Sequence, residues 1–174
     1  MIPDAVVSIV ATAPCVGFSG SRSPSTASLA AVSAIAAEVP ASCLISVGCA
    51  EGVDRLVRSL FACARVFSAS SFGVGRGSFA ARSVACVRSV SPDGVWLSFP
   101  ASPCPPGLLP SRSSSRCFGG FGAGSWSSLA LAVGSDLRCA VFLPPDIPSP
   151  GWGLVSLGGG WWLWSPVASQ LLLF

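Results

Sequence analysis

The sequence lacks four residue types. It contains no lysine, histidine, tyrosine or asparagine, and its single glutamine is Gln170. Without histidine, the chain has no imidazole for a catalytic triad. Without lysine, it has no ammonium group for a phosphate-binding P-loop or for a Schiff base. Enzymes whose mechanism depends on either group are therefore excluded.

Charged side chains are also scarce. They make up 10% of the 174 residues, whereas an ordinary soluble domain has about 25%. The ten cations are all arginine, and together with seven acids they give a net charge of +3. Because so few polar groups are available to cover the surface of a monomer, we expect the protein to form a homo-oligomer.

The eight cysteines include no Cys-x-x-Cys pair, and a zinc site without histidine would need four separate thiolates. We therefore predict no metal site and interpret the cysteines as reduced, buried thiols of a cytoplasmic protein. A disulfide framework is the alternative. No basic segment precedes the apolar N-terminal stretch, and no apolar run reaches about 18 residues, so we expect neither a secretory leader nor a membrane span.

Short apolar runs alternate with helical patterns along the chain. Strand-like runs cover residues 15–20, 43–48, 65–70, 94–101 and 139–145. Helical patterns cover residues 23–39, 51–64, 77–90 and 125–135. This alternation predicts an α/β fold, a Rossmann-like three-layer arrangement with a parallel sheet and helices on both faces. On the third of these helices we expect Arg82 and Arg88 to be exposed.

The chain divides into two parts. Residues 1–145 are predicted to form the Rossmann-like domain, and residues 146–174 a Trp-rich extension that packs on the same domain. Within the extension, two short apolar runs flank the glycines at 158–160, which indicates a β-hairpin at the edge of the sheet. The tryptophans at 161–164 either stack on bases or cover an apolar layer, and clusters of this kind more often cover a layer.

Three Gly-rich turns stand where a strand leads into a helix. The first, "VGFSGSRSPS" at residues 16–25, contains Gly20, Ser21 and Arg22. Backbone amides near Ser21 and the N-terminus of the following helix would form an anion site, and Arg22 would add a charged hydrogen bond to a phosphate. The alternative is an ordinary turn that Ser25 caps.

The second turn, "GCAEGVD" at residues 48–54, contains Gly48, Glu51, Gly52 and Asp54. Acids in the first turn of a helix interact favourably with its dipole, which is sufficient to explain both carboxylates. As a ligand contact, Asp54 suits a ribose hydroxyl better than a phosphate, because like charges repel.

The third turn, "GGFGAGSWSSLA" at residues 119–130, begins within the last part of a long loop at 102–124 that is rich in proline, serine and glycine. Glycines followed by hydroxyls at a helix N-terminus are typical of an anion site. We expect the ligand contacts from this region to be Gly122, Gly124, Ser125, Trp126, Ser127, Arg112 and Arg116. In parallel sheets ligands bind beyond the carboxyl ends of the strands, so the three turns are predicted to meet there.

The order of "GFSGSR", "SVGCAEGVD" and "GAGSWSSLALA" between residues 15 and 145 resembles the SLOG superfamily of Rossmann-like nucleotide-binding proteins. The likeness is greatest to the branch of DNA-processing protein A, and the lysine-decarboxylase-like branch of cytokinin-activating phosphoribohydrolases is related to it. The resemblance implies a cytoplasmic module that binds a nucleotide or a nucleotide-derived small molecule and needs no cofactor. Arg22 and the amides near Ser21 and Ser125 would hold phosphate, Asp54 a ribose hydroxyl, and Trp126 or Phe18 a base.

The chain departs from the phosphoribohydrolases at their catalytic glutamate. In the motif of those enzymes, a Gly-Thr pair precedes the catalytic glutamate. If Gly124 and Ser125 correspond to that pair, the position of the glutamate corresponds to Ser128. We therefore predict a sensor or binding protein and no catalytic residue. An N-glycosidic nucleotide hydrolase is the first alternative, and a protein that binds single-stranded DNA through Arg112 and Arg116 is the second.

Overall fold

The structure is a computed structural model, and it describes residues 1–166 of the chain except for the side chain of residue 76. Residues 167–174, the last part of the predicted C-terminal extension, lie outside the described residues. Strands and helices alternate along the chain as predicted, and the structure adds two α-helices that were not predicted, one at the start and a short one inside the predicted loop at 102–124.

A seven-stranded sheet forms the centre of the molecule, in the order β3-β2-β1-β4-β5-β7-β6. The strands are β1 Cys15–Gly20, β2 Leu44–Gly48, β3 Arg65–Phe67, β4 Val95–Phe99, β5 Arg138–Phe142, β6 Val155–Gly158 and β7 Trp161–Trp164. The first five run parallel, whereas β7 pairs antiparallel with both β5 and β6. The sheet is therefore parallel at its core and mixed at one edge.

Helices cover both faces of this sheet. They are α1 Asp4–Ala11, α2 Thr26–Ala36, α3 Val53–Leu60, α4 Arg76–Arg88, α5 Ser114–Cys117 and α6 Gly124–Gly134. Buried residues of α1, α2 and α3 share one hydrophobic cluster with the sheet, and those of α4, α5 and α6 share the other. This three-layer α/β arrangement confirms the predicted Rossmann-like fold.

The parallel strands and α2 form where local sequence favours them. All five residues of β4, "VWLSF", are buried, as expected for a strand covered on both faces. Helix α2 begins after Ser25, whose hydroxyl accepts a hydrogen bond from the Ser28 amide at 3.1 Å. This contact is an N-cap, and it satisfies one of the free amides of the first turn.

Helix α1 is absent from the sequence-based prediction. Its sequence, "DAVVSIVA", is rich in β-branched residues, which favour strands when they are considered locally. In the structure Val6 and Val10 are fully buried in the cluster that also contains Val32 and Ile35 of α2. Packing against the sheet therefore overrides the weak helical propensity of this segment.

The C-terminal hairpin extends the sheet beyond β5. Trp161 is 2% exposed, and its ring lies 5.4 Å from that of Phe142 and 5.9 Å from that of Phe99. Trp162 and Trp164 are half-buried against the opposite cluster. The predicted edge hairpin is confirmed, and its tryptophans cover apolar surface on both faces of the sheet.

Two further properties concern the whole described chain. All eight cysteines are free thiols, four of them buried, namely Cys15, Cys86, Cys117 and Cys139. Within residues 1–166, no helix combines the length and the apolar character that crossing a membrane requires.

Candidate functional site

The topology of the sheet determines where a ligand would bind. Strand β1 lies between β2 and β4, so the chain moves to one side of β1 first and to the other side later. The carboxyl ends of β1 and β4 border a crevice at this switch point, which is where α/β sheets bind ligands. A cavity of about 610 Å³ opens there, within the range of small-molecule sites.

The first Gly-rich turn forms one wall of the cavity. The Ser21 amide donates to the Phe99 carbonyl at 2.9 Å, and the Ser21 carbonyl accepts from the Val53 amide at 3.1 Å. These bonds join the ends of β1 and β4 to the start of α3. Because the Ser21 amide is already paired, it is not free for an anion, and this part of the predicted phosphate contact is wrong.

Arg22 follows this wall and lies at the mouth of the cavity. Its side chain is exposed, and the guanidinium carbon lies 5.5 Å from the centre of the Phe79 ring on α4. This is a cation–π contact. Arg22 is therefore held near the opening and still has its N–H groups available to an anion.

The second turn contributes a buried ion pair. Asp54, at the start of α3, is 5% exposed, and its Oδ2 accepts hydrogen bonds from Arg82 Nη1 at 2.9 Å and from the Ala50 amide at 3.2 Å. Arg82 comes from α4 and is 8% exposed, so the prediction that it is exposed is wrong. Both side chains line the cavity.

Gly48 and Gly52 are glycines for steric reasons. A Cβ on Gly48 would overlap Arg82 Nη1 and Asp54 Oδ2, so the ion pair occupies the place of a side chain. A Cβ on Gly52 would overlap the carbonyls of Ser21 and Arg22, and its φ of +74° also favours glycine. Gly48 therefore admits the ion pair, and Gly52 lets the second turn pack on the first.

Arg58 fixes the second turn from outside the cavity. Its Nη1 donates to the carbonyls of Gly48 and Ala50, each at 2.9 Å. These two bonds hold the loop between β2 and α3 in the conformation that presents the Ala50 amide to Asp54. No pattern in the sequence indicates this role of Arg58, which only its contact with the loop backbone reveals.

Burial dominates the electrostatics of Asp54. It raises the pKa of the carboxyl above its ordinary value, while the charge and hydrogen bond of Arg82 and the Ala50 amide lower it to a smaller extent. Both hydrogen bonds go to Oδ2, and none of the donors that the structure describes reaches Oδ1. Arg82 Nε is likewise buried without a partner in this part of the chain. The ion pair therefore has an unused acceptor and an unused donor beside the cavity.

The third turn forms the opposite wall. Gly122, Gly124, Ser125 and Ser127 line the cavity. Helix α6 begins at Gly124, and its N-cap residue, Ala123, provides no side-chain cap. The amides of the first turn therefore lack a capping acceptor, and the N-terminus carries partial positive charge.

A chain of hydrogen bonds connects this wall to the sheet. Trp96 Nε1 donates to Ser19 Oγ at 3.1 Å, Ser19 Oγ to Ser98 Oγ at 3.2 Å, and Ser98 Oγ to the Ser125 carbonyl at 3.4 Å. The start of α6 is thus positioned by polar groups of β1 and β4. The serines inside these apolar strands are the signal in the sequence that would have revealed the connection.

Several predicted contacts do not line the cavity. Glu51 is exposed and pairs with Arg55 at 3.2 Å. Arg112 forms an exposed ion pair with Asp136, and Arg116 is exposed at the end of α5. Gly52 contributes only by allowing the second turn to pack closely on the first. The structure therefore leaves these four residues outside the site.

Trp126 belongs to the core. It is fully buried, donates from Nε1 to the Ser102 carbonyl at 2.7 Å, and packs edge-on against Trp152. Phe18 does line the cavity, but it is 1% exposed. The more accessible aromatic rings of the cavity are Phe79, which is 46% exposed, and Phe118, which is half-buried.

The helical spacing of α4 would have indicated its role. Phe79, Arg82, Ser83 and Cys86 follow the helical pattern i, i+3, i+4, i+7, and all four line the cavity. Burial raises the pKa of the Cys86 thiol to about 12, so it is not a nucleophile at neutral pH. This face of α4 therefore forms part of the cavity wall and contributes one aromatic ring and one cation to it.

The cavity is suited to an anion and poorly suited to acid–base catalysis. Its charged lining consists of Arg22, Arg82 and Asp54, which leaves one positive charge in excess. Asp54 is the only carboxylate that lines it within the described residues, and Arg82 occupies its Oδ2. Ser128 also lines the cavity, and its hydroxyl donates to the Gly124 carbonyl at 2.8 Å.

Comparison with known proteins finds no relative that bears on this site. The chain matches no protein-family model, no curated protein and no solved structure.

Proposed function

We propose that the protein binds a nucleotide or a nucleotide-derived small molecule in this cavity and acts as a sensor or binding protein without rapid turnover. One observation carries the proposal. Arg22, Asp54 and Ser125 come from three separate turns, and all three line one cavity at the switch point of the sheet. The resemblance to the SLOG superfamily rests on the same three turns and supports the same function.

The phosphate would bind between the N-terminus of α6 and Arg22. The uncapped amides of the first turn of α6 and the exposed guanidinium of Arg22 both favour an anion. Arg82 supports this position independently, because it is buried beside the cavity with Nε unpartnered among residues 1–166. A charge-assisted hydrogen bond of this kind contributes about 1.5–3 kcal/mol.

The nucleoside would occupy the rest of the cavity. Oδ1 of Asp54 has no donor among the described residues and would accept a ribose hydroxyl. Phe79 and Phe118 offer rings on which a base can stack. They would replace Trp126, for which the sequence predicted the contact with the base. The ligand therefore has an anion, a hydroxyl-bearing sugar and a planar ring.

Neither alternative function has comparable support. Base-releasing hydrolysis requires a free acid, and the one carboxylate on the cavity wall of the described chain is bound to Arg82. Binding of single-stranded DNA through Arg112 and Arg116 would use residues that lie outside the cavity, one of them already paired with Asp136.

Isothermal titration calorimetry tests the proposal. We expect at least one member of a panel of nucleoside monophosphates, cyclic nucleotides and ADP-ribose to bind, and Arg22→Ala to weaken its binding about tenfold or more. Arg112→Ala is the matched control, because this arginine is exposed and paired elsewhere, and it is expected to bind as the wild type does. The absence of binding heat for every nucleotide contradicts the proposal.

A further inference from the structure

A second groove lies beside the cavity, between α4 and α5. Its volume is about 600 Å³, and Ala80 and Phe118 line both spaces. The two spaces are therefore neighbours across one aromatic ring and one small side chain.

The groove has an apolar wall and a cationic end. Ala81, Val84 and Ala85 form the wall on α4, and Arg88 follows one turn later on the same face. From Ala80 to Arg88 the helix rises about 12 Å, which gives space for a base-sized ring followed by a phosphate. Arg88 is exposed, and no acid lines the groove within residues 1–166.

We infer that the ligand of the cavity contains a second nucleotide unit and that this unit lies in the groove between α4 and α5. The second base would stack at Phe118 and contact the alanine wall, and Arg88 would bind the distal phosphate. Alternating rings and cations are typical of sites that follow a nucleotide chain. The inference rests on the proposed function, because it assumes that the first unit occupies the cavity.

The test compares each nucleoside monophosphate with its 5′-phosphorylated homodinucleotide, by calorimetry on the full chain. We expect at least one dinucleotide to bind about tenfold or more tightly than its mononucleotide, since one stacked base contributes about 1–3 kcal/mol. Ala81→Leu, which fills the groove, and Arg88→Ala are expected to remove this gain and to leave mononucleotide binding unchanged. Arg116→Ala on the neighbouring α5 is the control, and it is expected to retain the gain.

The possible failures are distinguishable. If mononucleotides bind and the dinucleotides bind no more tightly, the second unit is absent and the proposed function stands. The same holds if the gain in affinity survives both groove variants. If no nucleotide of either length binds, the proposed function fails, and the inference fails with it.

Discussion

At the scale of single residues, the ion pair between Asp54 and Arg82 is the most consequential feature that local sequence does not reveal. A lone arginine on a helix is ordinarily a solvated residue, and Arg88 on the same helix is exposed. Arg82 is buried because it faces the end of β2, where Gly48 leaves space and Asp54 provides the opposite charge. Two positions in the second turn and one on α4, 28 residues after Asp54, therefore specify one contact.

Removing one partner of this pair is expected to destabilise the fold. Arg82→Leu leaves the Asp54 carboxylate buried without its cation, and a broken buried pair costs about 3–5 kcal/mol. Urea unfolding followed by circular dichroism measures the change. Arg88→Leu is the control, with an expected change within about 0.5 kcal/mol. Equal effects of the two variants would contradict a structural role for the pair.

The same pair predicts a coupling between its partners. In the double variant with Asp54→Leu and Arg82→Leu, no charge is left unpaired, so the loss of stability is expected to be smaller than the sum of the two single losses. The four proteins form a double-mutant cycle in urea. Additive losses would show that the two side chains do not interact in the folded protein.

Gly48 gives a third prediction at the scale of single residues. Gly48→Ala places a Cβ where the ion pair lies, and overpacking of this kind costs about 1–3 kcal/mol. Gly77→Ala is the matched control, because it lies inside α4 with no atom within 4 Å of its added Cβ, and it is expected to stabilise the protein by about 0.5–1 kcal/mol. Opposite signs in urea unfolding are the expected result, and a neutral Gly48→Ala contradicts the steric argument.

At the scale of elements, the sequence predicts the strands and α2, α3, α4 and α6, but neither α1 nor the short α5 within the predicted loop. Apolar runs that end in glycine and the 3.6-residue spacing of α2 are local signals. Helix α1 has no such signal, because its valines and its isoleucine suit a strand, and packing in the cluster that it shares with α2 and the sheet makes it helical. Elements that depend on distant contacts are therefore the ones that pattern alone misses.

The hairpin of β6 and β7 is expected to contribute to the stability of the fold through Trp161. Trp161 fills the space between Phe99 and Phe142 and is 2% exposed. Trp161→Ala is therefore expected to destabilise the protein by about 3–5 kcal/mol. Val155→Ala on the same hairpin, at a side chain that is 62% exposed, is expected to have little effect. If both variants unfold at the wild-type denaturant concentration, the hairpin does not contribute to the core.

At the scale of the whole molecule, the convergence of the three turns follows from topology. Carboxyl ends of parallel strands meet at one edge, so the sequence predicts that Arg22, Asp54 and Ser125 lie together, and all three line the cavity. The accessible rings of Phe79 and Phe118 and the cation of Arg82 were not predicted, because the orientation of α4 and the path of the loop after β4 depend on tertiary packing. Local sequence therefore locates the site but does not define its complete lining.

Ligand binding is expected to stabilise the entire fold, because the cavity joins elements from both faces of the sheet. A ligand that binds only the folded state adds about 2.7 kcal/mol of stability at a hundred times its Kd, which corresponds to a rise of several degrees in Tm for a chain of this size. The nucleotide that binds in calorimetry is therefore expected to raise Tm in a thermal-shift experiment. Arg22→Ala is expected to reduce this rise at the same ligand concentration, and Arg112→Ala to preserve it. An equal rise in both variants would place the ligand away from the Arg22 turn.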